Sequence, residues 1–474
     1  MSALERLGSM DMTWLQIEQK TNLMQVLGLL ILETPLDRSV LEERLRKDLL
    51  PLERFSQQVL RDTAGAVWET HQVELNVHIA EVVLPAGDEK AALESLIGTL
   101  AATPLDPARP LWQVHLIRSY RGGSALIARV HHCIADSIAL IGVLRTLTDS
   151  SPNAAEALPT ASAPPPAPSH FDKLYAPLTR TMVEGIKLSG AFWAKYWSLV
   201  FNPQQAFDYA RATTALALEI GKLNGLQDDS RTLFKAQPLG VKRASWSPPL
   251  SGSNVASIAA DNGTTTNAVL LACLTGALHD YLAAQGASTA GVELRTLMPV
   301  NLRNEDSEEP LGNRSGLIPI ELPVGIADPK ARLEEMHLRV QDFSRTYEAQ
   351  RTLGLFSLIG QTPRAVQLQA LKLLANKSSA LLCHVPGSHE PRYLAGAKII
   401  EEMFWSPASG EMGLTISIVS YDGHYQIGVL ADAAMVAAPS DITNRIEAEL
   451  LALKPSPAPA RKPARRAPRK VTST

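Results

Sequence analysis

A short apolar stretch, followed by a polar loop and an amphipathic segment, constrains the fold of this 474-residue chain most. Residues 126–130 follow a Gly-Gly turn signal and have the composition of a β-strand. Apolar side chains at positions 138, 141, 144 and 147 recur at helical spacing. The intervening sequence HHCIAD (131–136) therefore lies between a strand and a helix, where catalytic residues are common.

The two neighbouring histidines, His131 and His132, are expected to point to opposite sides, because strand side chains alternate between faces. One can then face a cavity while the other is held in the interior. The pair has three interpretations: two structural histidines, a metal site, or a general base supported by Asp136. Adjacent histidines on opposite faces do not easily share one metal ion, and no HExxH or CxxC spacing is present. Because the ordinary pKa of histidine is near neutral, the general-base interpretation is modestly favoured over the other two.

Length and composition predict a two-domain globular protein. A chain of 474 residues is too long for one ordinary core. Hydrophobic residues make up 45% of the chain, charged residues 20%, and the net charge of -3 shows no bias towards nucleic acid. Three cysteines, far apart, indicate a reducing compartment. No signal-like core and no apolar run of the ~20 residues needed to span a bilayer are evident, so a cytoplasmic protein is expected.

Composition shifts suggest four segments: residues 1–149, a Pro/Ala-rich linker with connecting helices (150–238), residues 239–453, and a tail (454–474). An aromatic cluster at 192–201 is typical either of helix packing or of contact with a lipid interface. The tail carries six arginines and lysines after Lys454 and is expected to be disordered. Its positive charge suits either binding to an anionic membrane or lipid-body surface, or a solubilising role. Binding to nucleic acid is not supported, because no aromatic residues are interleaved with the basic ones.

Strand-like and helix-like segments alternate irregularly, which indicates a mixed α/β fold. Strands are predicted at 24–32, 73–77 and 294–300, and helices at 38–50, 89–100 and 266–282. A capping threonine is expected to begin the last of these helices. His384 and His424, in later loop-like blocks, are expected to be surface or structural residues.

Several blocks resemble one enzyme family. HHxxxD at 131–136 resembles the HHxxxDG signature of the coenzyme A-dependent acyltransferase superfamily, which includes chloramphenicol acetyltransferases and condensation domains. The segments 104–106 and 109–112 resemble the PLW block of the bacterial wax ester synthase/diacylglycerol acyltransferase family, and 299–303 resembles its Asn-x-Arg block. The resemblance spans roughly residues 10–451. Two departures are Ser137, where the family has glycine, and Ala268, where it has aspartate.

The resemblance implies two chloramphenicol-acetyltransferase-like subdomains joined by a linker, with a central substrate tunnel. It implies transfer of an acyl group from acyl-CoA, a co-substrate, to a long-chain fatty alcohol or to diacylglycerol, with no metal or other cofactor. The partners are then these lipids and, peripherally, the inner membrane or lipid inclusions.

The same resemblance suggests roles for individual residues. His132 would be the general base, and Asp136 would organise the loop through an ion pair with Arg303, helped by His131. Ser137 and Asn301 are candidate hydrogen-bond donors to the oxyanion. Trp112 and Asn267 are candidate supporting residues. Two alternatives stay open: a non-catalytic lipid-binding or lipid-body protein, which the departures at 137 and 268 favour, and an N-acyltransferase.

Overall fold

The computed structural model describes residues 5–62, 65–152, 221, 225, 227–301, 315–345 and 364–454. The predicted linker at 150–170, most of the connecting helices, Arg303 and the basic tail therefore lie wholly or largely outside the described residues.

The described chain is a mixed α/β structure, as predicted. Its strands are β1 (Glu5–Arg6), β2 (Gln25–Leu32), β3 (Gln57–Asp62), β4 (Gly65–Thr70), β5 (Ile79–Glu81), β6 (Trp112–Tyr120), β7 (Gly123–His131), β8 (Lys242–Trp246), β9 (Leu250–Ser251), β10 (Leu294–Asn301), β11 (Ser315–Leu322), β12 (Ala380–Pro386), β13 (Tyr393–Leu394), β14 (Ala397–Trp405), β15 (Leu414–Tyr421) and β16 (His424–Asp432). Its α-helices are α1 (Ser9–Ile17), α2 (Arg38–Arg44), α3 (Leu75–His78), α4 (Glu89–Ala101), α5 (Ser137–Leu147), α6 (Gly252–Asp261), α7 (Thr266–Ala284), α8 (Pro329–Arg345), α9 (Arg364–Lys377), α10 (Ser440–Thr443) and α11 (Ile446–Ala452).

A six-stranded sheet in the order β13-β14-β2-β7-β6-β5 organises the first half. Its central strands, β2 and β7, are antiparallel and pair Gln25 with His131. Both are almost entirely buried and rich in aliphatic residues, as expected of strands covered on both faces. On one face, the buried Arg129 guanidinium donates to the carbonyls of Leu100 and Thr103 at the end of α4. A cation at a helix C-terminus is favourable because the helix dipole is negative there.

The second half is built on a seven-stranded sheet in the order β11-β10-β12-β15-β16-β8, with β9 paired to β16. The long helix α7 is buried along most of its length, and Thr265 caps it by accepting from the Ala268 N–H. By length and composition α7 is apolar enough to cross a membrane, but 78% of its most apolar window is buried inside the protein. The buried core helix of a soluble protein meets the same length and composition criteria, so α7 is weak evidence for a membrane-spanning helix.

The two halves share a strand. β14 comes from the later part of the chain, yet it pairs with β2 from Ile399↔Leu32 to Trp405↔Leu27. The sequence division into residues 1–149 and 239–453 therefore does not coincide with the division between the sheets. At a second junction, Lys90 of α4 donates to the Trp246 carbonyl at the end of β8.

Most predicted elements are confirmed, and one is wrong. The strands at 24–32 and 294–300 and the helices at 89–100 and 266–282 appear as β2, β10, α4 and α7. The helix at 38–50 is divided into α2 and a π-helical turn, Leu45–Leu49. The predicted strand at 73–77 is instead the short helix α3, which ends where β5 begins.

Candidate active site

The HHCIAD loop is held by the strands on both sides of it. The His131 N–H donates to the Leu111 carbonyl (2.9 Å), and the His132 N–H donates to the Met24 carbonyl (2.7 Å). At the other end of the loop, the Asp136 side chain caps α5 by accepting from the Ala139 N–H at 2.8 Å. These bonds fix the position of the loop between β7 and α5.

His131 has a partner at each ring nitrogen. Its Nδ1 accepts from the Cys133 N–H (3.1 Å), and its Nε2 lies 3.1 Å from Glu18 Oε2. Because Nδ1 is an acceptor, the ring proton is assigned to Nε2, which donates to Glu18. Burial alone would raise the pKa of Glu18, but the hydrogen bonds from His131 and from the Met24 N–H lower that pKa below its usual value. His131 is thus engaged by protein groups.

His132 has different surroundings. Its ring stacks on the indole of Trp14, with 4.0 Å between ring centroids and an interplanar angle of 26°. Trp14 lies in α1, and Glu18 follows one turn later at the C-cap of the same helix. Residues four apart lie on one helical face, so α1 contacts both motif histidines.

His132 lines a cavity, called the cleft below, that lies between the two halves. The cleft has about 760 Å³ of atom-free space, part of it open to solvent. One wall comes from the first half, and the other from β10, β11, β12 and the segment after β14. The lining residues are Trp14, His132, Asp136, Ser137, Ile141, Pro299, Leu317, Leu381, Cys383, His384, Val385, Ser406, Pro407, Ser409 and Met412.

A chain of small polar groups crosses the cleft. The hydroxyls of Ser137 and Ser406 hydrogen-bond to each other, and Ser406 also contacts the Cys383 thiol. Burial raises the pKa of Cys383 to about 11. Burial also holds the pKa of Cys133 well above its usual value. Both thiols therefore stay protonated near neutral pH, in which state they are poor nucleophiles.

The structure brings some of the predicted site residues together and separates others. His132, Asp136 and Ser137 line the cleft, and His131 lies beside them against Glu18. Trp112 is a buried residue of the first half, where its Nε1 donates to the Phe55 carbonyl.

Of the remaining predicted residues, Asn267 does not line the cleft, and the other two lie partly or wholly outside the described residues. Asn267 is buried near the start of α7 and is absent from the described lining. Asn301 ends β10, but its side chain, like all of Arg303, lies outside the described residues. The ion pair between Asp136 and Arg303 therefore stays a prediction.

Four cleft or loop-supporting residues were missed by sequence reasoning. His384, expected to be a surface or structural residue, lies in the cleft wall, whereas His424 is exposed in the hairpin between β15 and β16. Trp14 and Glu18 share a helical face, and that spacing is visible in the sequence. No sequence signal marked Ser406, which reaches the site because β14 crosses between the halves.

This arrangement suits proton transfer in a partly enclosed space. The cleft offers the imidazoles of His132 and His384, and the first N–H groups of α5 lie next to Ser137, where an anionic oxygen would be stabilised. Among the described residues, no group of three His, Cys, Asp or Glu side chains converges as a metal site.

Comparison of the sequence with known families gives two matches. The wax ester synthase/diacylglycerol acyltransferase catalytic domain matches residues 7–269, and the WS/DGAT C-terminal domain matches residues 311–454. A putative diacylglycerol O-acyltransferase of Mycobacterium tuberculosis is 25% identical over 427 residues, or 85% of each chain. The probable diacylglycerol O-acyltransferase Tgs1 of the same species is 24% identical over 436 residues, or 89% of each.

Solved structures share the fold. The wax ester synthase/diacylglycerol acyltransferase from Marinobacter aquaeolei VT8 aligns with a TM-score of 0.66 at 19% identity, covering 95% of this chain and 98% of that one. The first condensation domain of the calcium-dependent antibiotic synthetase aligns with a TM-score of 0.55 at 16% identity, covering 95% and 96%. With both family domains matched in order, the chain belongs to the wax ester synthase/diacylglycerol acyltransferase family and is an acyltransferase.

Proposed function

We propose that the protein transfers an acyl group directly from acyl-CoA to the hydroxyl of a long-chain alcohol or of diacylglycerol, with His132 as the general base. The observation that carries this proposal is the difference between the two motif histidines. His131 is bonded at both ring nitrogens to Cys133 and Glu18, whereas His132 lines the cleft. A neutral imidazole facing such a space can accept a hydroxyl proton near neutral pH.

The reaction has two stages. As the alcohol oxygen attacks the thioester carbonyl, His132 takes the hydroxyl proton, and a tetrahedral oxyanion forms. When the C–S bond breaks, the imidazolium gives that proton to the departing thiolate, which leaves as free CoA. The Trp14 ring stacked on His132 favours the imidazolium, because aromatic faces attract cations. We assign the stabilisation of the oxyanion to Ser137, through its hydroxyl or its N–H at the start of α5.

The serine at position 137 is compatible with this chemistry. Glycine is needed where a backbone adopts positive φ or another group approaches closely. Ser137 is the first residue of α5, a helical conformation that any residue adopts, and its hydroxyl faces the cleft. This position therefore gives no support to the non-catalytic lipid-binding alternative.

The acceptor is proposed from similarity. The Mycobacterium tuberculosis relatives are named as diacylglycerol acyltransferases, and the family name includes wax ester synthesis. Purified protein incubated with palmitoyl-CoA is expected to release CoA and to form ester with hexadecanol or with diolein. Amide formation from hexadecylamine in place of ester would identify an N-acyltransferase.

Replacing the base tests the mechanism. His132→Ala is expected to lower turnover roughly 100-fold or more, because the general base is lost, while the protein folds normally. The matched control is His424→Ala, since His424 is exposed in a hairpin, and this variant should retain wild-type turnover. A His132→Ala enzyme within about threefold of wild type would contradict the mechanism.

For location, we propose a cytoplasmic protein that associates peripherally with the inner membrane or with lipid inclusions through its basic tail. The six arginines and lysines after Lys454 are attracted to anionic lipids, and salt screens this attraction. Deleting the residues after Lys454 should leave turnover of soluble substrates intact but weaken binding to phosphatidylglycerol vesicles at low salt. Equal binding with and without the tail would contradict the proposal.

A further inference from the structure

Three cleft-lining side chains from separate parts of the chain meet in a row. Ser137 begins α5, Ser406 directly follows β14, and Cys383 lies in β12. The hydroxyls of Ser137 and Ser406 hydrogen-bond to each other, although they are 269 positions apart in sequence. Ser406 is only 4% exposed and also contacts the Cys383 thiol. These three side chains, called the hydroxyl–thiol row below, therefore connect the second sheet with the first residue of α5.

The hydroxyl–thiol row has a direction, because each serine hydroxyl has one hydrogen to donate. In the bond between the two serines, one must donate and the other must accept. Burial raises the pKa of Cys383 to about 11, so the thiol keeps its hydrogen near neutral pH and can donate to the Ser406 oxygen. Ser406 then donates to Ser137, and the hydrogen of the Ser137 hydroxyl is left for a group in the cleft.

The opposite direction would leave the row without a hydroxyl donor for the substrate. If Ser137 donated to Ser406, its hydrogen would be used within the protein, and Ser406 would donate to sulfur, which is a weak acceptor. A negative charge that develops in the cleft favours the first direction, because each S–H and O–H dipole then points its positive end towards that charge. Hydrogen bonds in a row polarise one another, and this effect is stronger inside a protein than in water.

We propose that Ser406 and Cys383 are positioning residues, which orient the Ser137 hydroxyl as a hydrogen-bond donor to the oxyanion of acyl transfer. This inference rests on the proposed function, and it selects the hydroxyl of Ser137 over its N–H. No covalent bond is made or broken in the row, since each residue keeps its own hydrogen throughout the reaction. An oriented donor acts where charge develops in the transition state, so its loss should lower kcat and leave KM nearly unchanged.

Removing the hydroxyls singly and together tests the inference, with palmitoyl-CoA and hexadecanol as substrates. Ser137→Ala should lower kcat about tenfold or more, because a donor to the oxyanion is lost. Ser406→Ala should lower kcat at least about fivefold, which corresponds to the net contribution of one hydrogen bond. In the Ser137→Ala background, Ser406→Ala should have no further effect on kcat, because the group that it orients is gone.

Two comparisons distinguish orientation of the hydroxyl from an effect on folding. Cys383→Ser keeps a hydrogen-bond donor and should keep wild-type kcat, whereas Cys383→Ala should lose about threefold or more. The matched control is Ser417→Ala, which should keep wild-type kcat. Ser417 is the register partner of Cys383 in β15, and its fully buried hydroxyl has no hydrogen-bond partner among the described residues. If the losses from Ser137→Ala and Ser406→Ala add, or if Ser406→Ala keeps wild-type kcat, the inference is wrong.

An infrared measurement separates this inference from the proposed function, because it does not depend on turnover. Palmitoyl-CoA labelled with carbon-13 at its thioester carbonyl is bound to each protein without alcohol. A hydroxyl donor polarises the carbonyl, so its stretching frequency should be lower in the wild type and Ser417→Ala than in Ser137→Ala and Ser406→Ala. If the wild type forms no ester with any substrate pair but shows this difference, the proposed function fails and the hydroxyl–thiol row stands. The same frequency in all four proteins would overturn the row, whether or not ester forms.

Discussion

The two histidines of the HHCIAD loop differ in their neighbours, and these neighbours, not the side chains' own chemistry, set their roles. His131 and His132 are the same side chain one position apart, yet one is bonded to Glu18 and the other stacks on Trp14. Strand alternation predicts that the two rings have different surroundings. It does not reveal which groups surround them, because those groups come from α1, more than a hundred residues earlier.

Cys133 gives a prediction at this scale. The thiol is fully buried, and burial keeps its pKa well above the usual value, so a covalent acyl-cysteine is not expected. Cys133→Ala should keep at least about a third of wild-type turnover, whereas losing a nucleophile would cost roughly 100-fold or more. Initial rates with both substrates varied should give intersecting double-reciprocal lines. Parallel lines, or label from acyl-CoA retained on denatured protein, would show the opposite.

Among the elements, those with long periodic patterns were predictable and the shortest were not. α7 has an uninterrupted apolar face and a threonine cap, and it appears where the sequence places it. The segment 73–77 alternates apolar and polar residues over only five positions, a window that strand and helix patterns both satisfy. Contacts outside that window decide the outcome, for His78 Nδ1 bonds to the Trp112 carbonyl at 2.8 Å and fixes the end of α3.

The contact between α4 and β8 gives a prediction at the element scale. A Cβ atom on Gly98 of α4 would lie 2.5 Å from the backbone carbonyl oxygen of Lys242. Gly98→Ala should therefore lower the free energy of unfolding by about 1–3 kcal/mol through overpacking. The control is Gly142→Ala in α5, where nothing lies within 4 Å, and which should gain up to about 1 kcal/mol of helix propensity. Urea unfolding checks both, and equal effects at the two sites would contradict the argument.

For the whole molecule, the sequence predicted two α/β halves and a site where they meet, but not how they are joined. Resemblance supplied the two-subdomain plan, and the HHxxxD motif located one wall of the cleft. The opposite wall, with His384 and Ser406, depends on long-range pairing. β14 leaves the second half and joins the first sheet, and no local pattern in residues 397–405 signals which sheet they enter.

Glu402, on the shared strand, predicts how stability depends on pH. Burial raises its pKa to about 7, although the charges of Arg392 and Arg145 act to lower it. Between its ordinary pKa of 4.5 and 7, the folded protein holds a proton that the unfolded chain has released, so stability falls as pH rises through this window. Glu402→Gln should be more stable than wild type at pH 8 by at least about 1 kcal/mol, the free energy of roughly one pKa unit.

Thermal unfolding at several pH values checks this prediction. The advantage of Glu402→Gln should shrink towards pH 5, where the wild-type side chain is protonated as well. The control is Glu390→Gln, in an exposed position, which should follow wild type throughout. If the stability advantage of Glu402→Gln is the same at pH 5 and pH 8, the effect comes from packing and not from charge, and the prediction is wrong.

The strand exchange also decides how substrates and products can reach the interior. β14 is held in the first sheet by six residue pairs with β2, whereas the strands before and after this segment of the chain, β12 and β15, belong to the second sheet. The chain therefore crosses twice between the sheets, and this double connection limits how far the two halves can part. We expect substrates to enter the cleft through its existing openings, so that a bulky product leaves more slowly than a slender one.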